Sequence, residues 1–217
     1  MRLPNKAIAL TGCMSLGALA AITYAVYTMR ELQDYHWLVL FVLAVATARL
    51  KVKLPGLTGN MAVNLPFLLV AVTQLSLLEA LLVALPACAV QCLPKGGGKP
   101  KPLQMLFNLS TTAVAVAAAS SAGAHYAWLG AGGFFLAQTI PVASIIRLTE
   151  GGAIAKIWSS IAHYSFPFYV LSAGMCSIAT SATAEFSWQM PLVSLPVLFA
   201  IYRSYQSYFG ERVAVHQ

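Results

Sequence analysis

The chain has 217 residues, and only 9% of them are charged, 13 Lys+Arg and six Asp+Glu. A soluble domain carries about 25% charged residues, whereas this chain is 59% apolar with a mean hydropathy of +0.75. That balance excludes a water-soluble single domain and a disordered chain, and leaves an all-α, polytopic transmembrane helical bundle.

A bilayer core takes about 20 apolar helical residues to cross. On that measure, spans are predicted at 7–28, 35–50, 57–74, 77–93, 103–124, 127–147, 157–180 and 188–205. The third is punctuated by Pro55, Gly56, Gly59, Asn60, Asn64 and Pro66. Unwound backbone at membrane depth survives only when buried in protein or lining a wet cavity. Lys51 and Lys53 precede this stretch, and Lys95, Lys99 and Lys101 follow it. Both groups favour the same membrane face, so residues 54–94 are expected to form a hairpin. It is either two full crossings with a turn near Gln74–Glu79 or a shallower, broken element.

Charge orients the bundle. With the N-terminus inside, 12 of the 13 basic residues fall on the cytoplasmic face, and only Arg30 falls outside. Glu31, Asp34, Glu79 and Glu185 fall outside. Both termini are therefore predicted cytoplasmic, in a single 1–217 membrane domain of a bacterial inner membrane. Trp37, Trp128 and Trp188 lie at outer boundaries and Trp158 at an inner one, as headgroup-seeking aromatics should. The net charge of +7 is then orientation, and no basic face with interleaved aromatics points to nucleic acid. Leu10-Thr11-Gly12-Cys13 has the look of a lipoprotein processing box, but the apolar stretch between Lys6 and Cys13 is too short for a cleaved signal. The first span is expected to be retained.

Catalytic patterns are sparse. Cys13, Cys88, Cys92 and Cys176 form no CxxC; Cys88 and Cys92, four apart, share one helix face and are expected to pack as small apolar groups. Residues 94–102 contain Gly96-Gly97-Gly98-Lys99, yet Pro100 follows where a phosphate loop needs Ser or Thr. Glu79 is expected in a turn and Glu150 in an inner loop, so a serine–histidine–acid arrangement lacks its acid. No catalytic residue, metal site or cofactor is assigned. The informative residues are polar ones within spans: Asn60, Asn64, Asn108, Gln138 and His163, with Ser110, Thr111 and Thr112 beside Asn108. Each must find a partner out of water, either as glue between helices or as the lining of a cavity for a small ligand. His163 stands four residues before Pro167, whose missing N–H frees the His163 carbonyl in a kinked helix.

Several segments carry a family likeness. They are Leu65-Pro66-Phe67-Leu68-Leu69, Met105-Leu106-Phe107-Asn108-Leu109-Ser110, Leu148-Thr149-Glu150-Gly151-Gly152 running into Lys156-Ile157-Trp158, and Leu195-Pro196 leading to Tyr202-Arg203-Ser204-Tyr205. In that order they resemble the multi-span N-terminal membrane module of bacterial cyclic-di-GMP signalling proteins, which precedes an HD-GYP phosphodiesterase or diguanylate cyclase domain. The sequence stops at Gln217, so the resemblance implies a sensory or anchoring module without an output domain. The family's enzymatic activity is not carried over. The broken early helix with its Pro and Asn residues also resembles substrate-binding subunits of energy-coupling-factor vitamin transporters, which implies capture of a small molecule. A third expectation is a structural or assembly subunit. Expected partners are the lipid bilayer and a cytoplasmic signalling protein or partner membrane subunit, with homo-oligomerisation left open.

Overall fold

A computed structural model describes residues 4–29, 36–53, 60–94, 101–123 and 127–181, together with residues 196, 199–200 and 203–204. Seven helices and one short β-ladder are formed among them. They are α1 (Asn5–Thr28), α2 (His36–Thr47), α3 (Leu65–Gln74), α4 (Leu77–Cys92), α5 (Pro102–Gly123), α6 (Ala127–Glu150) and α7 (Ile154–Ser181). Strands β1 (Lys51–Lys53) and β2 (Asn60–Ala62) pair antiparallel, with Val52 opposite Met61. α1, α5 and α6 are long and apolar enough to cross a membrane, and α2, α3 and α4 are shorter apolar helices. The chain is a multi-pass membrane helical protein. The predicted 188–205 span lies almost wholly outside the described residues; the few that are described there are helical.

Of the two forms expected for the third segment, the structure takes the broken one. Its helix is only ten residues long, about 15 Å at 1.5 Å per residue, half a bilayer core of about 30 Å. The β-ladder takes up the segment before it, closed by Val63 N–H donating to the Leu50 carbonyl at 3.2 Å. Two features stop α3 from extending toward its N-terminus. Pro66 occupies its first turn, where a missing N–H costs nothing, and Asn64 forms the cap position. The broken element is therefore the form the chain adopts.

α3 is buried on every side: all eight residues from Leu65 to Val72 are buried. A helix apolar all round belongs at the centre of a bundle. α3 packs against α2, α4, α5, α6 and α7. Its neighbours bury single stripes instead. Leu40, Leu43, Ala44, Thr47 and Ala48 follow i, i+3, i+4, i+7, i+8 along α2 and just beyond it, and Ala80, Val83, Ala84, Ala87 and Cys88 repeat that spacing on α4.

Small residues bring the helices close, the usual device where lipid is as apolar as protein and packing must hold helices together. α1 buries Ala7, Thr11, Ala18 and Ala25, and a Cβ placed on Gly17 would stand 3.2 Å from Val114 Cγ2 of α5. A Cβ on Gly133 of α6 would meet the Ala118 carbonyl oxygen of α5 at 3.3 Å. α6 ends where Gly151 takes φ +82° and donates its N–H to the Arg147 carbonyl at 3.0 Å, a left-handed stop suited to glycine.

Candidate functional site

Hydroxyls in an apolar bundle have a local solution: donation to the carbonyl four residues back. Thr11, Thr47, Thr139, Ser165 and Ser172 all take it, at 2.7–2.9 Å. Ser110 instead meets Ser15 of α1 at 3.1 Å. Thr112 Oγ1 donates to Cys88 Sγ at 3.4 Å, and Asn108 Nδ2 donates to Cys92 Sγ at the same distance. These two bonds run one turn apart along the α4–α5 seam.

Glu79 is fully buried, in the first turn of α4 rather than in the turn expected from sequence. Its Oε2 accepts from the Ser76 N–H at 3.0 Å and the Ser76 hydroxyl at 2.7 Å, while Ser76 Oγ accepts from the Glu79 N–H. This capping box satisfies donors that a helix start leaves free and places the carboxylate at the positive end of the helix dipole. The Ser-x-x-Glu spacing before an apolar run was the sequence signal for it.

Against this background two side chains stand out. Of the ten buried polar residues among those described, eight are hydrogen-bonded; Thr111 Oγ1 and Asn64 Nδ2 have no partner among the described residues. Asn64 is 4% exposed and makes no side-chain bond to the helix it caps; Thr111 is 1% exposed. Gln138 Oε1 and Ser120 Oγ, on half-buried residues, also lack a partner there. A buried amide or hydroxyl left unbonded costs about 1–3 kcal/mol, a cost that Asn64 and Thr111 each carry.

The five sequence candidates thus divide. Asn64 and Gln138 carry uncommitted polar atoms, and Asn108 is engaged with Cys92. His163 is exposed on α7, its ring edge-on to Tyr164 at 5.4 Å, apart from the buried set. Asn60 lies in β2, and its side chain falls outside the described residues. Thr111 was read only as a neighbour of Asn108; no local pattern separates it from Ser110 and Thr112, because its isolation depends on what faces it.

No protein-family model, curated protein or solved structure matches this chain. The site must be read from its own chemistry.

On the cytoplasm-predicted side, Trp158 is more than an interfacial anchor. Its Nε1–H donates to Thr139 Oγ1 at 3.1 Å, and its ring packs 6.4 Å from Phe135, which also meets Phe166 and Tyr169. This aromatic cluster clamps α6 to α7.

Proposed function

We propose that the chain is an inner-membrane sensory or anchoring module, with no chemistry of its own, whose core receives a small polar molecule. The observation that carries this reading is the pair of buried, unbonded groups Asn64 Nδ2 and Thr111 Oγ1. Polar groups within a bundle that lack protein partners are costly, and a small polar molecule bonding to either group offsets part of that cost. The asymmetry of basic residues supports cytoplasmic termini, from which a bound state could be passed to a cytoplasmic partner. The likeness of the segments at 65–69, 105–110, 148–158 and 195–205 to the cyclic-di-GMP membrane modules, in their order, supports signalling as the use of that state.

A second reading, a substrate-binding subunit of a transporter, draws support from the interrupted β2–α3 segment beside Asn64. Native mass spectrometry from mild detergent separates the readings. The sensory reading expects a stoichiometric small-molecule adduct that disappears in Asn64→Leu and Thr111→Val while both variants stay folded, and a signalling protein retained in pull-downs. An adduct accompanied by a copurifying ATPase pair would favour the transporter. Absence of any adduct, with both variants more stable than wild type, would leave a structural subunit.

A further inference from the structure

The α4–α5 seam holds a second arrangement. Cys88 and Cys92 stand one turn apart on α4, and neither is in a disulfide. Each sulfur accepts a hydrogen bond from α5, Cys88 from Thr112 and Cys92 from Asn108. Side chains four apart on a helix are neighbours on one face, so the two thiols stand side by side. Cys88 is buried, whereas Cys92 ends the helix and is half-exposed, so the pair opens toward that end of α4.

We propose that Cys88 and Cys92 form a two-thiolate site for a soft monovalent metal ion, Cu(I), with Thr112 and Asn108 orienting the sulfurs. Soft sulfur donors select Cu(I), which is content with two sulfurs in line, whereas structural zinc takes four ligands. Among the described residues no group of three or more His, Cys, Asp or Glu is placed to hold a metal, so the donor set here is limited to two. Hydrogen bonds donated to ligating groups fix their orientation and spread their charge. Binding breaks two S–H bonds and forms two S–Cu bonds. Both protons leave to water, no electron is transferred, and the loaded site carries one net negative charge. Lys95, Lys99 and Lys101 follow Cys92 in sequence.

The test is a competition titration of the full chain in mild detergent, reduced and anaerobic, with Cu(I) held by the chromophoric chelator bathocuproine disulfonate. One Cu(I) per chain should be withdrawn, with two protons released. Cys88→Ala and Cys92→Ala should each abolish this, and a Cys13→Ala/Cys176→Ala variant should retain it. Asn108→Leu should keep the stoichiometry but weaken affinity by about 10–100-fold, the usual effect of losing a partner of a metal ligand. Zn(II) at the same concentration should stay unbound. If wild type withdraws no Cu(I), or a Cys88→Ala/Cys92→Ala double variant binds as wild type does, the proposal is overturned. Should Cys88→Ala lose the wild-type elution volume, Cys92→Ala at the half-exposed end carries the comparison.

Discussion

Asn108 of α5 donates its amide hydrogen to the sulfur of Cys92 on α4 at 3.4 Å, and the same register one turn away joins Thr112 to Cys88. Two residues four apart on one helix thus meet two residues four apart on an antiparallel neighbour. The seam holds the C-terminal half of α4 against α5. Inter-helix hydrogen bonds in membrane proteins average about 0.6 kcal/mol in double-mutant cycles. An Asn108→Leu/Cys92→Ala cycle is expected to give a coupling of about 0.5–1.5 kcal/mol by reversible unfolding in detergent.

The capping box at the start of α4 should be among the stronger local contributors. Ser76→Ala removes both the hydroxyl that Glu79 Oε2 accepts from and the oxygen that accepts from the Glu79 N–H. Loss of a cap costs about 0.5–2 kcal/mol, and the buried carboxylate then lacks one donor. Ser76→Ala is expected to lower the unfolding free energy by about 1–3 kcal/mol. Ser76→Thr, which keeps the hydroxyl, should recover most of it.

Adjacent glycines on α6 offer an internal control. A Cβ on Gly133 would meet the Ala118 carbonyl oxygen at 3.3 Å and Ala122 Cβ at 3.4 Å, while one on Gly132 would meet nothing within 4 Å. Gly133→Leu should separate α5 from α6 and cost about 1–3 kcal/mol or more. Gly132→Ala should be neutral or stabilise by up to about 1 kcal/mol through helix propensity. Thermal aggregation midpoints of the two variants in the same detergent should move in opposite directions or differ by several degrees.

Trp158 tests the α6–α7 clamp. Trp158→Phe keeps a ring against Phe135 but deletes the donor to Thr139, whose own hydroxyl still donates to the Phe135 carbonyl. The expected loss is about 0.5–1.5 kcal/mol. Trp158→Ala removes the ring as well and should cost about 3 kcal/mol or more. Equal effects of the two substitutions would assign the clamp wholly to the hydrogen bond.

Orientation has a direct check. A Gly97→Cys variant, between Lys95 and Lys99 in the basic segment, should resist a membrane-impermeant maleimide added to intact cells and react once the membrane is opened. Labelling from outside would invert the assigned topology.

Most helices were legible because a span must be apolar along its whole length, a property each segment displays locally. α1, α4, α5, α6 and α7 begin and end within three residues of the predicted spans. α3 was harder. Pro55, Asn64 and Pro66 announced an interruption, but whether 57–74 still crossed depended on partners able to bury a ten-residue helix on all sides. The site was legible only in part. Asn64 and Gln138 were visible as polar residues in apolar runs, while Thr111 looked identical to its neighbours. The capping role of Glu79 was written in the Ser76–Glu79 spacing, and its full burial was not.

By itself, the sequence determined that this chain is a helical membrane protein, where its long helices lie, and which polar residues interrupt its apolar runs. Those follow from the cost of placing charge and unpaired backbone in hydrocarbon, which acts on each segment alone. Only the tertiary structure decided which polar atoms are spent and which are free: Thr112 is committed to a sulfur, and Thr111 beside it is not. Residues next to each other on a helix point about 100° apart and meet different neighbours, and a hydrogen bond is a property of the meeting.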